Sequence, residues 1–276
     1  MWIDTHCHLD ASEFQAGPYA EAERARQAGV SAIVIPAVHP VNFDKVEQIA
    51  SSDKSCFFTL GIHPMYVPTA PDNALTVLRQ QIERLLAQQQ SRFIGIGEIG
   101  LDYFVPALRQ APLAEKQEYY YQAQLKLARE FDLPVLLHVR RSQDQILKQL
   151  RRIKVCGGIA HAFNGSMQQA QQFIELGFKL GFGGAMTFTR ALQIRRLATD
   201  LPLSALVLET DAPDIPPAWL SEPQTQTDSA INRPAELPQI GLELARLRQL
   251  EPAQLAQQLS NNSQQALPRL QLNYPD

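Results

Sequence analysis

Eight short apolar runs alternate with longer segments of helical periodicity along this chain of 276 residues. Runs such as SAIVIPAV, FIGIGEI and LPVLLHV lack a regular polar alternation, which is typical of strands covered on both faces of a parallel sheet. The predicted strands span residues 2–5, 32–38, 56–60, 92–97, 134–138, 155–161, 177–182 and 205–209. An amphipathic segment follows nearly every run, so the pattern predicts an α/β protein of the (β/α)8 TIM-barrel class.

An open, doubly wound sheet is the main alternative to the barrel. That fold usually carries a glycine-rich phosphate loop after its first strand, whereas the first predicted strand here runs into HCHLD. Hydrophobic residues make up 45% of the chain, which suits one large core, and we predict a single domain over residues 1–276. Residues 214–235 are proline-rich and aperiodic, and we interpret them as an active-site loop because one helix pair follows them.

Charge and cysteine content restrict the class of protein. The net charge of −3 provides no basic field to coat DNA, but it allows an enzyme with a locally charged cleft. The three cysteines, Cys7, Cys56 and Cys156, lack C-x-x-C spacing and are typical of reduced thiols. The chain shows no signal-peptide pattern and no apolar run of the ~20 residues that a membrane span needs. We therefore expect a cytoplasmic protein with no membrane contact and no obligate protein partner.

Seven side chains that can bind metal end or follow different predicted strands. In a barrel the carboxyl ends of the strands form one face, where barrel enzymes assemble their active sites. His6 and His8 stand two positions apart, so their imidazoles should point to one face and Cys7 to the other. We expect the whole set to converge at this face. Its members are His6, His8, His63, Glu98, His138, His161 and Asp211.

Two members of this set, Glu98 and Asp211, are carboxylates that follow the apolar runs FIGIG and LVLET. Each would be buried without a partner, at a cost of several kcal/mol, unless a cation lies nearby. Together with the imidazoles after strands 1, 5 and 6 (His6, His8, His138 and His161), the two carboxylates exceed the ligand number of one tetrahedral zinc ion. The set therefore predicts two divalent metal ions (zinc, magnesium or manganese) about 3.5–4 Å apart and bridged by a carboxylate.

Competing chemistries lack their sequence patterns. The chain has no G-x-S-x-G nucleophile elbow and no G-x-x-x-x-G-K phosphate loop. We interpret Ser166 as a helix N-cap, and Cys7 and Cys156 as small core residues within strands. Metal-assisted hydrolysis is the favoured chemistry.

Six motifs, DTHCHLD, GIHP, GEIGLDY, HVR, HAFNGS and LETDAP, occur in this order and resemble the TatD family of metal-dependent hydrolases. The resemblance covers residues 4–213, with INRP as a weaker extension. It implies a barrel of the amidohydrolase-like type in which Glu98 bridges two metals, each held by further ligands. The ligands are His6, His8 and Asp211 for one metal, and His138 and His161 for the other. Proteins of this family are described as DNases that cleave phosphodiester bonds with divalent metal.

The residues and the resemblance together predict hydrolysis of phosphodiester bonds in DNA by a metal-activated water. Asp211 is the candidate base that accepts a proton from this water, and Glu98 is the bridging carboxylate. His63, Arg140 and Arg233 are the candidates for contact with the substrate phosphate, since a guanidinium can bind two oxygens at once.

Metal-bound imidazoles usually donate their second N–H group to a nearby acceptor. Asp4, just before the first two histidines, and Asp102, just after Glu98, are the candidate acceptors. In that role they would orient the ligands and hold no metal themselves.

Two other functions remain open. An amidohydrolase or lactonase that acts on a small metabolite would use the same metal site, and the net charge of −3 suits it. A non-enzymatic protein that binds metal or nucleic acid would need no open coordination position on the metal.

Overall fold

The apolar runs form eight parallel strands that pair in chain order within one sheet. The computed structural model describes residues 1–221 and 231–272. The strands are β1 (Trp2–Asp4), β2 (Val30–Pro36), β3 (Cys56–Leu60), β4 (Phe93–Asp102), β5 (Val135–Arg140), β6 (Gly158–Ala160), β7 (Phe178–Phe182) and β8 (Leu206–Leu208). Pairing of each strand with the next in sequence is the order of a barrel, not of a doubly wound sheet.

Helices connect successive strands, and local sequence sets several of their ends. They are α1 (Pro18–Ala28), α2 (Phe43–Ser52), α3 (Ala74–Ala87), α4 (Leu113–Glu130), α5 (Gln143–Arg152), α6 (Met167–Glu175), α7 (Leu192–Asp200), α8 (Leu237–Arg248) and α9 (Pro252–Ala266). α1 ends at Gly29, whose φ of 100° is unfavourable for a residue with a Cβ atom. The predicted N-cap of α6 is present, because the Ser166 hydroxyl accepts a hydrogen bond from the backbone N–H of Gln169.

Four hydrogen bonds, made by a few residues at the strand ends, join β8 to β1. The backbone N–H and the hydroxyl of Thr5 both donate to the Leu208 carbonyl, at 3.1 and 3.0 Å. The Asp4 carboxylate accepts from the backbone N–H of Thr210 at 3.0 Å and from its hydroxyl at 2.6 Å. These contacts fix the chain segments that leave β1 and β8 at the carboxyl end of the barrel.

Two layers of apolar side chains fill the fold. The outer layer packs the strands against the helices. The inner layer occupies the barrel interior and includes Leu267 and Leu270, which follow α9. Its strand residues are Ile3, Ala32, Val34, Phe57, Ile94, Leu136, Ile159 and Val207. Arg269 donates to the carbonyl of Phe93, the first residue of β4, so the segment after α9 closes the amino end. Polar groups therefore collect at the opposite, carboxyl end.

The predicted (β/α)8 barrel with a single domain is confirmed, and the doubly wound alternative is excluded. Every strand except β3 differs from the prediction at one end or both, and two of the differences concern the site. β1 ends at Asp4, so His6 and His8 lie beyond the strand. β4 runs to Asp102, so Glu98 lies within a strand and not at its end.

The cysteines are all free, and two of them are buried. Cys156 is exposed, because its strand begins only at Gly158, so the prediction that it packs in the core is wrong. Within the described residues, every helix is too short or too polar to cross a bilayer. The cytoplasmic location stays a prediction. Residues 222–230 of the predicted loop at 214–235 lie outside the described residues.

Candidate metal centre

A cavity of about 1260 Å³ opens at the carboxyl ends of the strands. His6 is fully buried and contacts Glu98, which lines the cavity. The structure therefore brings together all seven side chains that the sequence singled out as metal-competent. Besides Glu98, those that line the cavity are His8, His63, His138, His161 and Asp211.

One oxygen of Glu98 faces the histidines that follow β1. Glu98 Oε2 lies 3.1 Å from His6 Nε2 and 3.5 Å from His8 Nε2. Asp211 joins this group, with its Oδ1 at 3.5 Å from His6 Nε2 and 3.7 Å from His8 Nε2. The backbone N–H of Asp211 donates to the His6 carbonyl at 2.8 Å, which holds the two segments together.

The other oxygen of Glu98 faces histidines from the opposite side of the barrel. Glu98 Oε1 lies 2.9 Å from His138 Nδ1 and 2.8 Å from His161 Nε2. The other ring nitrogen of His161, Nδ1, is 4.0 Å from Asp211 Oδ1, so we group His161 with His138. The buried carboxylate thus stands between two sets of nitrogen and oxygen ligands.

The ligand atoms of this cluster suit divalent cations, because they cannot all be satisfied by hydrogen bonds to one another. Five imidazole nitrogens lie within 3.5 Å of one carboxylate, which offers about four lone-pair sites. Two pairs of imidazole nitrogens also face each other at 3.4 Å. Three overlapping triads have their ligand atoms within 4.8 Å of one another. They are His6–His161–Asp211, His6–His8–Glu98 and His63–Glu98–His138. A cation accepts the lone pairs that the imidazoles cannot place elsewhere.

Without a metal ion, the pKa values of neighbouring residues in the cluster shift in opposite directions. Burial lowers the pKa of His6 to about 3, and the neighbouring His161 adds to this effect. Burial alone would lower the pKa of His161, but the carboxylates of Glu98, Asp211 and Glu209 together raise it to about 10. Burial alone would raise the pKa of Glu98, but the surrounding imidazoles together hold it well below the usual range; they are those of His63, His161, His6 and His138. Glu98 is therefore ionised, which is the form that binds a cation.

Asp102 orients His138. Its Oδ2 lies 3.1 Å from His138 Nε2, and its Oδ1 accepts the backbone N–H groups of Phe104 and Val105 at 2.8 and 2.9 Å. Burial alone would raise the pKa of Asp102, but the contact with His138 and the two backbone N–H groups together lower it to about 2. An ionised acceptor at Nε2 places the imidazole proton there and leaves the Nδ1 lone pair directed at Glu98.

Asp4 does not have the orienting role that we predicted from the sequence. Its carboxylate contacts the backbone N–H groups of His6 and Thr210 and the Thr210 hydroxyl, and no imidazole. Burial raises its pKa to about 7. Asp4 fixes the junction of β1 and β8, whereas His6 Nδ1 has no hydrogen-bond partner among the described residues.

His63 is a hydrogen-bond donor in this geometry. Its Nδ1 accepts the backbone N–H of Met65 at 3.2 Å, so the proton of the neutral ring sits on Nε2. Nε2 lies 3.2 Å from Glu98 Oε1. This tautomer cannot bind a metal through Nε2, which agrees with the sequence-based assignment of His63 to the substrate.

The two arginines predicted to contact substrate lie in different places. Arg140 lines the cavity with 47% of its side chain exposed, and its Nη1 is 3.8 Å from Asp102 Oδ2. Arg233 instead pairs with Glu21, a buried residue of α1 that also accepts from Arg24 at 2.6 Å. The structure does not bring Arg233 to the other candidates, because its partner lies on the outer helix layer.

Sequence reasoning missed Asn232, the neighbour of Arg233. The Asn232 side-chain amide is fully buried and donates to the carbonyls of Thr210 and Asp214 at 2.8 Å each. These two residues flank Asp211, whose φ of 57° is left-handed. Asn232 therefore holds the segment that presents Asp211, and the only sequence signal was its place in INRP.

Glu209 was missed as well. It is 1% exposed, its Oε1 accepts the backbone N–H of Ala162, and it lies 3.9 Å from His161 Nδ1. Burial raises its pKa to about 8. A glutamate inside the apolar run LVLET is the same signal that singled out Glu98.

Known proteins resemble the whole chain. The sequence model of a family described as TatD related DNase matches residues 3–268. YjjV of Escherichia coli K12, an uncharacterized metal-dependent hydrolase, is 39% identical over 263 residues, which cover 95% of this chain and 96% of the relative. The 3'-5' ssDNA/RNA exonuclease TatD of Klebsiella pneumoniae strain 342 is 30% identical over 267 residues, covering 94% of this chain and 95% of the relative.

A solved structure has the same fold over nearly the full length. The crystal structure of the TatD homologue YjjV from Escherichia coli K12 matches with a TM-score of 0.86 at 38% identity, covering 97% of this chain and 98% of that chain. The family match and both kinds of relative agree with the six ordered motifs. The chain belongs to the TatD family of metal-dependent hydrolases.

Proposed function

We propose that this hydrolase cleaves phosphodiester bonds in DNA with two divalent cations, which are zinc, magnesium or manganese. The position of Glu98 carries the proposal, because its two carboxylate oxygens face separate sets of ligands within 3.5 Å. A bridging carboxylate of this kind is typical of two-metal hydrolases. The Klebsiella relative is named a 3'-5' ssDNA/RNA exonuclease, which supports a nucleic-acid substrate.

The residues divide into two proposed metal sites that share Glu98. When bound, the cations lower the pKa of water and offset negative charge on phosphoryl oxygens. The first site would comprise Glu98 Oε2, His6 Nε2, His8 Nε2 and Asp211 Oδ1. The second would comprise Glu98 Oε1, His138 Nδ1 and His161 Nε2.

The chain's own groups would bind and orient the reactants. Asp211 is the proposed base, because 12% of its side chain is open to the cavity while its backbone is fixed to His6. His63 would donate its Nε2 proton to a phosphate oxygen, since its other nitrogen is already an acceptor for Met65. Apolar walls such as Phe163 and Phe182 limit the water around these groups.

The cavity favours a phosphodiester over a small neutral amide or lactone. Its volume of about 1260 Å³ is above the common range of about 300–1,000 Å³ for small-molecule sites. Arg140 and Arg141 both line it, and neither guanidinium donates a hydrogen bond to another described residue. Such groups suit an anionic substrate.

The test compares the wild type with His6→Ala/His8→Ala and with His39→Ala, which changes a histidine outside the cavity. We expect metal-dependent hydrolysis of a single-stranded oligonucleotide and of bis(4-nitrophenyl) phosphate by the wild type and by His39→Ala. The double variant should lose bound metal and both activities. Turnover of amides or lactones without any phosphodiester hydrolysis would replace this proposal with a small-metabolite hydrolase.

A further inference from the structure

Two adjacent arginines lie against one phenylalanine at the rim of the cavity. The guanidinium carbons of Arg140 and Arg141 are 3.8 and 4.8 Å from the centroid of the Phe104 ring. Successive residues of a strand point to opposite faces. Arg141 follows the last residue of β5 with a left-handed φ of 56°, which breaks that alternation. The backbone thus directs two like charges to the same place, and Phe104, 44% exposed, supports both.

These two charges are poorly compensated. Neither guanidinium donates a hydrogen bond to another residue within 1–221 or 231–272. Arg140 Nη1 is 3.8 Å from Asp102 Oδ2, but that oxygen already binds His138 at 3.1 Å. Arg141 has no carboxylate within 4.0 Å in this part of the chain. The ten guanidinium N–H groups of the pair therefore have no hydrogen-bond acceptor among the residues that the structure describes.

The two arginines lie close to the proposed metal ligands. Asp102 contacts both His138 and Arg140, so the arginine pair lies one residue outward from the second proposed metal site. Phe104 and both arginines line the same cavity as Glu98. The cavity residues Asp10, Glu13 and Asp214 follow β1 and β8, on the other side of the barrel mouth. An extended anionic substrate would therefore place its remaining charge on the β5 side.

We propose that Arg140 and Arg141, supported by Phe104, bind a second phosphate of the substrate, next to the phosphate that is cleaved. This inference rests on the proposed phosphodiesterase function and names its substrate class, a nucleotide chain with at least two phosphates. A planar guanidinium binds two phosphate oxygens at once, and two of them suit one phosphate group. The subsite would distinguish such a chain from a diester with a single phosphate.

The test measures kcat/KM of the full-length, Mn²⁺-loaded protein on thymidine dinucleotides with and without a terminal 5′ or 3′ phosphate. We expect the wild type to prefer a phosphorylated dinucleotide, and Arg141→Ala to lower that preference about tenfold, the effect of one charged hydrogen bond. Arg141→Lys should retain part of the preference, because lysine keeps the positive charge but cannot bind two phosphate oxygens at once. Arg92→Ala is the matched control. Arg92 stacks on Phe57 at 4.8 Å at the amino end of β4, and its loss should leave the preference unchanged.

A wild type without the preference, or an Arg141→Ala variant that keeps it, overturns the subsite. Calorimetry with thymidine 3′,5′-bisphosphate separates this outcome from failure of the proposed function. If no phosphodiester is cleaved but Arg141→Ala weakens bisphosphate binding about tenfold, the subsite stands and the proposed reaction falls. Equal binding by wild type and variant removes the subsite whatever the activity.

Discussion

Replacement of Asn232 by alanine tests how the segment that carries Asp211 is held. The Asn232 side-chain amide donates to the carbonyls of Thr210 and Asp214 at 2.8 Å and to that of Ile215 at 3.2 Å. Its oxygen accepts the backbone N–H of Arg233 at 2.9 Å. The variant leaves these backbone groups without that partner, and the Thr210 carbonyl among them is in a fully buried residue. At about 1 kcal/mol for each of the three best-placed bonds, the free energy of unfolding should fall by roughly 3 kcal/mol.

The same change should impair the site. The left-handed backbone of Asp211, with φ of 57°, costs about 1–3 kcal/mol and persists only while its surroundings restrain it. Once Asn232 is gone, the segment can relax and move the carboxylate away from His6 and His8. Metal affinity and kcat should therefore fall even under conditions in which the variant is fully folded.

Equilibrium urea unfolding measures the stability change, and an unchanged m-value shows that the unfolded states are comparable. Asn232→Asp should destabilise at least as much, because a carboxylate would face three carbonyl oxygens. Asn261→Ala removes an exposed amide on α9 and should stay within about 0.5 kcal/mol of the wild type. If Asn232→Ala is equally close to the wild type, the restraint that we derive from these hydrogen bonds does not exist.

The remaining predictions concern other contacts of the site. Asp102→Asn should weaken metal binding about 10–100-fold in a competition titration with a chelating dye, because it no longer fixes the His138 tautomer; equal affinity would refute that role. Gly181→Ala would place a Cβ in steric overlap with Glu209 Oε2, so thermal unfolding should show a loss of about 1–3 kcal/mol. An unchanged Tm would mean that Glu209 can move aside. Removal of metal by a chelator should lower the Tm reversibly, by the equivalent of about 4 kcal/mol where free metal exceeds Kd a thousandfold. An unaltered Tm on chelation would show that metal does not stabilise this fold.

The sequence was most informative where one physical signal dominates. Apolar runs covered on both faces predicted the strands, and β3 was predicted with its observed ends, residues 56–60. An isolated carboxylate after such a run singled out Glu98 and Asp211, which lie 1% and 9% exposed in one cluster. Both signals depend on burial, which hydrophobic periodicity reports directly.

A single sequence could not predict contacts between segments that lie far apart along the chain. Asp4 meets Thr210, 206 positions away, because β8 returns to the side of β1, and no local pattern encodes that junction. Arg233 meets Glu21 across 212 positions, so its charge alone suggested the wrong neighbours. Arg141 lies beside Arg140 on the Phe104 ring because its own backbone is left-handed, and strand periodicity does not predict such a conformation. These side chains needed the folded backbone to be placed.

Anomalous diffraction from crystals of the Mn²⁺-loaded protein tests the central claim most directly. We predict two peaks about 3.5–4 Å apart, both touching Glu98, with one beside His6 and His8 and the other beside His138 and His161. Glu98→Ala should lose at least one of them. A single peak in the wild type, or two peaks that leave Glu98 uncoordinated, would contradict the proposed carboxylate-bridged pair.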